Sequence, residues 1–146
     1  MDKRQTVLFL CTGNSARSQM AEALLRRYAG DRFDVFSAGL QPRSIHPLTL
    51  QVLSEIGIDT GTLRSKGVDE FLGKMSIHHA IVVCAKAQQS CPRLYPFALG
   101  VLYWPFEDPA ALDGSPEEKL AKFREVRDQI DDQIHNWLRG MGARSA

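Results

Sequence analysis

The chain has 146 residues, 44% hydrophobic and 24% charged, with a net charge of +1. This composition excludes a disordered or collagen-like chain, and so small a charge excludes a field able to draw the whole surface to nucleic acid or to an anionic membrane. Any anion site must therefore be local. One domain over residues 1–146 is expected, because the length suits a single core and no repeat, low-complexity stretch or Gly/Ser linker divides it.

From the N-terminus, Lys3 and Arg4 lead into an apolar run from Val7 to Cys11. The run is too short for a signal-peptide core or a membrane span, so a cytoplasmic location is expected. Short β-branched or aromatic stretches at residues 6–11, 34–37, 80–84 and 101–104, bounded by Gly, Ser or Pro, read as buried strands. Helical patterns lie between them. Met20, Leu24 and Tyr28 share one helix face that stops at Gly30, and Leu48, Val52 and Ile56 share another that stops at Gly57 and opens at His46-Pro47.

The last helix is the clearest. Ser115-Pro116-Glu117-Glu118 supplies an N-cap, a first-turn proline and a capping-box glutamate. Leu120, Phe123, Arg127, Ile130, Ile134 and Trp137 then make a stripe that is apolar at all but one position. Strands alternating with helices predict an α/β fold: a four-stranded parallel sheet with helices on both faces. Ligands of such sheets sit at the C-terminal strand ends, here Cys11, Ala38, Cys84 and Trp104.

Cys11 opens the segment Cys11-Thr12-Gly13-Asn14-Ser15-Ala16-Arg17-Ser18, a C-x5-R pattern between the first strand and the first helix. A loop entering a helix presents unpaired backbone N–H groups, and Gly13 and Asn14 tolerate the backbone angles that turn those groups inward. The concavity suits a tetrahedral oxyanion, with the helix N-terminus adding positive potential and Arg17 a planar fork for two oxygens. The same field is expected to lower the Cys11 thiol and make it a nucleophile, to which Ser18 can donate a hydrogen bond. A Walker lysine is lacking, which disfavours nucleotide binding by that route.

Residues 7–15 together with Arg17-Ser18-Gln19-Met20-Ala21-Glu22-Ala23 resemble the signature of low-molecular-weight tyrosine phosphatases and the arsenate reductases that share their fold. The likeness continues in Ser37-Ala38-Gly39, in the pair Cys84 and Cys91, and in Phe106-Glu107-Asp108-Pro109-Ala110. It implies that Asp108, rather than Glu107, is the general acid, and it leaves two activities to separate.

A tyrosine phosphatase needs water as second nucleophile and an aromatic-walled slot, usually with an aromatic residue after Ser-Ala-Gly and tyrosines after Asp-Pro. Those positions read Leu40-Gln41-Pro42-Arg43 and Ala110-Ala111-Leu112. An arsenate reductase instead needs thiols, and the spacing of Cys84 and Cys91 matches the thioredoxin-linked branch. The expected catalytic set is then Cys11, Arg17, Cys84, Cys91 and Asp108, with thioredoxin as reductant, arsenate or a phosphate-like oxyanion as ligand, and no cofactor or metal. The alternative is a phosphatase working through a Cys11 phosphocysteine, and a third reading is an idle oxyanion-binding or redox-sensing module.

If strands one and three are neighbours, Cys11 and Cys84 lie ~5 Å apart, within disulfide range. Helical geometry would hold Cys84 and Cys91 ~10 Å apart, so residues 85–90 are expected to be partly helical when reduced and to loop out when oxidised. One branch of the reductases holds a potassium ion beside the anion loop, and Asn14, Glu22 and Ser37 match its ligands. The expected aspartate is Lys66, whose ammonium is expected to replace the ion. Ala16 stands where some relatives carry a cysteine. His78 and His79 invite a zinc reading, but the cysteine spacing does not fit one.

Overall fold

In the computed structural model, residues 4–71, 73–84 and 98–145 are described. Strand β1 (Gln5–Cys11) lies inside the sheet because both of its faces are apolar: Val7, Leu8, Phe9 and Leu10 are at most 1% exposed. It pairs in parallel with β2 (Phe33–Gly39) on one side and with β3 (Ile77–Val82) on the other. Strand β4 (Ala98–Tyr103) joins β3, so the order is β2-β1-β3-β4 and every pairing is parallel. The expected four-stranded parallel sheet is present.

Among the described residues three α-helices serve this sheet: α1 (Arg17–Ala29), α2 (Pro47–Ser54) and α3 (Pro116–Ser145). Helix α1 buries Met20, Ala21, Leu24 and Leu25, whereas Tyr28, expected on the same face, is largely exposed and donates its hydroxyl to Asp131 of α3. His46 caps α2, its Nδ1 accepting from Leu48 N at 3.1 Å, with Pro47 in the first turn. The capping box of α3 is formed, with Glu118 N donating to Ser115 Oγ and Ser115 N donating to Glu118 Oε1, both at 3.1 Å.

Phe123, Val126, Ile130 and Ile134 of α3 are fully buried, each worth roughly 1.5–3 kcal/mol by removal from water. Arg127, the polar break in that stripe, donates to Val52 O at 2.9 Å and pairs with Glu55, tying α3 to the end of α2. An aromatic cluster seats α3 on the sheet: Trp137 lies 5.4 Å from Phe33 and 5.9 Å from Trp104, and Trp104 lies 6.0 Å from Phe9. On the opposite face Phe36 packs 5.3 Å from Phe71, just beyond the one-turn 3-10 helix Val68–Glu70. Among the described residues no helix is long and apolar enough to cross a membrane.

Candidate active site

The loop after β1 is held from outside by its own carbonyls. Leu40 N donates to Cys11 O (3.2 Å), Gln41 N to Thr12 O (2.8 Å), Arg43 N to Gly13 O (2.8 Å) and His46 N to Ser15 O (3.0 Å). Gln19 Nε2 donates to Asn14 O at 3.1 Å, and Met20 N to Ala16 O at 2.9 Å. With the carbonyls engaged outward, peptide planarity turns the N–H groups of the same turn toward the concave side, where they form an anion nest. Asn14 takes φ +51°, the left-handed angle that this reversal needs. Ala16 caps α1 without any side-chain hydrogen bond, which leaves the helix N-terminus to a ligand.

Gly39 explains why Ser37-Ala38-Gly39 ends as it does. A Cβ there would stand 2.7 Å from Thr12 O, 2.8 Å from Asn14 N and 2.9 Å from Gly13 C, all backbone atoms of the loop. Only glycine lets the end of β2 come this close.

Cys11, Arg17, Cys84 and Asp108 line one cavity of about 340 Å³, together with Thr12, Gly13, Ser15, Ala16, Arg43 and Ala110. Asn14 and Ser18, also expected at the loop, are fully buried behind it, where Asn14 Nδ2 donates to Ser18 Oγ at 2.9 Å. Arg17 is aimed by Phe106 O, which accepts from Nη1 at 3.1 Å, and by Asp108, whose Oδ2 lies 3.8 Å from Nη2. Its Nε is buried without a hydrogen-bond partner among the described residues, a donor held ready for an anion. Asp108 also caps the one-turn helix Pro109–Ala111, accepting from Ala110 N at 3.0 Å. Glu107, the other candidate acid, is exposed and pairs with Lys122.

The parallel register sets Leu10 beside Val82, and Val83 N still bonds Leu10 O at 2.9 Å. Cys84, one residue on, therefore reaches the end of β1. Both thiols are reduced and buried, Cys84 Sγ lies 3.4 Å from Thr12 Oγ1, and Cys84 is within hydrogen-bonding reach of Cys11. This neighbour corrects one expectation. The Cys84 thiol and burial push the Cys11 thiol well up, against the lowering by Arg17 and the Thr12 N–H. Cys91 and the expected rearrangement of residues 85–90 lie outside the described residues.

Residues 6–145 match the low molecular weight phosphotyrosine protein phosphatase family. The chain belongs to that family. Among relatives of this phosphatase family, the arsenate reductase of Halalkalibacterium halodurans is 41% identical over 132 residues, spanning 90% of this chain and 93% of that protein. The arsenate reductase of Bacillus subtilis is 36% identical over 133 residues, spanning 90% and 94%. A solved arsenate reductase in the phosphate binding state superposes with a TM-score of 0.77 at 27% identity, covering 93% of this chain and 98% of that one. A thioredoxin-dependent arsenate reductase of Corynebacterium glutamicum gives 0.70 at 29% identity, covering 97% of this chain and 64% of that one.

Behind the family loop lies a buried polar cluster. Lys66 Nζ stands 3.3 Å from Glu22 Oε1 and donates to Arg64 O at 2.7 Å. Ser37 Oγ donates to the same Glu22 oxygen at 2.6 Å and accepts from Asn14 Nδ2 at 2.9 Å. Asn14 Oδ1 accepts from Lys66 N at 2.8 Å and from Gln19 Nε2 at 2.9 Å. Burial pulls the Lys66 ammonium below the ordinary lysine range, and Glu22 opposes that shift. The ammonium already supplies the cation here, so these residues do not fit a potassium ion as well.

Sequence reasoning gave no role to Gln19, whose donors grip Asn14 and Arg64 O, or to Thr49, whose hydroxyl donates to Ser15 O at 2.9 Å. No spacing rule marks either residue, because both act on the loop through the fold. His78 and His79 belong to the start of β3, away from Cys84: His78 Nδ1 accepts from Thr6 N at 3.0 Å, and His79 Nε2 meets Gln5 Oε1 at 2.8 Å.

Proposed function

We propose that this protein reduces arsenate to arsenite through Cys11, Cys84 and Cys91, with thioredoxin as the reductant. One observation carries the reading: a second thiol, Cys84, sits against Cys11 inside the oxyanion cavity. A phosphatase resolves its intermediate with water and has no use for a thiol there. None of the described residues that line the cavity is aromatic, which disfavours a phenol slot. Relatives called arsenate reductase at 35–41% identity support the same choice.

The loop amides and Arg17 hold arsenate, an arsenate oxygen takes the Cys11 proton, and the sulfur attacks arsenic to form an S–As bond while Asp108 protonates the departing oxygen. Ser18 accepts from Asn14, which leaves its hydroxyl proton to steady the thiolate. Cys84 then attacks the Cys11 sulfur. The S–As bond breaks with its electron pair remaining on arsenic, which leaves as arsenite, and a Cys11–Cys84 disulfide remains. Cys91 attacks Cys84, releasing Cys11 and forming Cys84–Cys91, which the thioredoxin dithiol reduces. A resting state with reduced thiols needs a reducing compartment, so the cytoplasm suits this cycle.

The test mixes pure protein with thioredoxin, thioredoxin reductase and NADPH and follows NADPH loss on adding arsenate, for wild type and the Cys84→Ser and Cys91→Ser variants, with aryl-phosphate hydrolysis in parallel. Arsenate-dependent turnover that needs both cysteines is expected. Aryl-phosphate cleavage alone, retained by both variants, would make the protein a phosphatase.

A further inference from the structure

Among the described residues that line the cavity, Arg43 is the one whose charge no step above uses. It follows β2 in the stretch that clamps the loop, its own N–H donating to Gly13 O at 2.8 Å. Its side-chain stem lies over Gly13, Cγ and Cδ coming within 3.7 Å and 3.6 Å of where a Cβ would be. The side chain lines the cavity, and among the described residues its guanidinium has no carboxylate partner. Arg17, by contrast, is already held by Phe106 O and Asp108.

A tetrahedral oxyanion attacked by Cys11 has three oxygens in the nest and a fourth opposite the sulfur, pointing to the mouth. Arg43, Asp108 and Ala110 line the cavity from segments outside the loop that forms the nest. In a free oxyanion the fourth oxygen is a hydrogen-bond acceptor carrying part of the charge. In a phosphate monoester it carries carbon, and the substituent must occupy the space beside the guanidinium. We propose that Arg43 is a specificity-determining residue, a second guanidinium that selects free inorganic oxyanions over their esters. The inference rests on the reductase reading, for which the fourth oxygen is always bare.

The experiment measures protection of Cys11 from iodoacetamide by inorganic phosphate and, separately, by phenyl phosphate, in wild type, Arg43→Met and Arg43→Lys. In Arg43→Met the half-protecting phosphate concentration rises about fivefold, the scale of a solvent-exposed charge contact, and that of phenyl phosphate changes less than about twofold. Arg43→Lys stays near wild type for phosphate, and in the coupled assay the arsenate KM of Arg43→Met rises while kcat holds. The backbone bond to Gly13 survives both substitutions, so equal melting temperatures confirm an intact loop. Unchanged protection by phosphate, or a parallel rise for both ligands, overturns the assignment. A wild type that binds phosphate but never turns over arsenate would sink the reductase reading instead, and the protection data would stand apart from it.

Discussion

Lys66 Nζ lies 3.3 Å from Glu22 Oε1, and both side chains are less than a tenth exposed. The pair stands directly behind the loop that carries Cys11, and through Ser37 and Asn14 it is hydrogen-bonded to that loop. Replacing the ammonium with a neutral group leaves Glu22 to Arg26 and Ser37 alone. Lys66→Met should cost about 3 kcal/mol in denaturant unfolding, as expected when one partner of a buried ion pair is removed. Wild-type arsenate turnover should be the same in potassium and sodium chloride at equal ionic strength. A marked activation by potassium would show that the ammonium does not serve as the cation of this cluster.

Gly39→Ala tests the close approach of β2 to the loop. Its methyl group would meet three backbone atoms below 3.0 Å, none of which can swing away as a side chain would. We expect about 2 kcal/mol lost in thermal or denaturant unfolding, the scale of overpacking. Displacement of the loop amides should also weaken phosphate protection of Cys11 by about tenfold. Wild-type protection in this variant would mean that the loop has slack.

His46 predicts a pH dependence. Burial lowers its pKa from the ordinary histidine value, with Asp108 opposing and Lys119 assisting. A protonated Nδ1 could no longer accept from Leu48 N. Between the folded-state pKa and the unfolded value near 6.5 the unfolded chain binds more protons, so this contribution to stability rises with pH through that window and is lost below it. Melting temperatures across the window should rise more steeply for wild type than for His46→Asn, which keeps a capping side chain without the titration. Parallel curves would remove His46 from the acid sensitivity.

Ser115→Ala removes the acceptor for Glu118 N at the start of α3. The loss should be about 1 kcal/mol in denaturant unfolding, with arsenate turnover unchanged, since the cap is remote from the cavity. Ser115→Asp should recover most of it.

The sequence by itself determined the elements and the kind of chemistry. Apolar runs of strand length, the capping box at Ser115 and the C-x5-R loop between a strand and a helix are each carried by residues a few positions apart. Backbone hydrogen bonding and side-chain periodicity act over that same range, which is why such signals can be read without the fold. The tertiary structure decided which groups surround the sulfur. Cys84 meets Cys11 because β3 is the neighbour of β1, and that contact reversed the expected direction of the Cys11 thiol. Glu22 meets Lys66 across 44 positions of sequence, and Gly39 meets the loop only because β2 lies on the other side of β1. A pKa, a buried ion pair and a steric limit all depend on what stands within a few ångströms, and that follows from strand order.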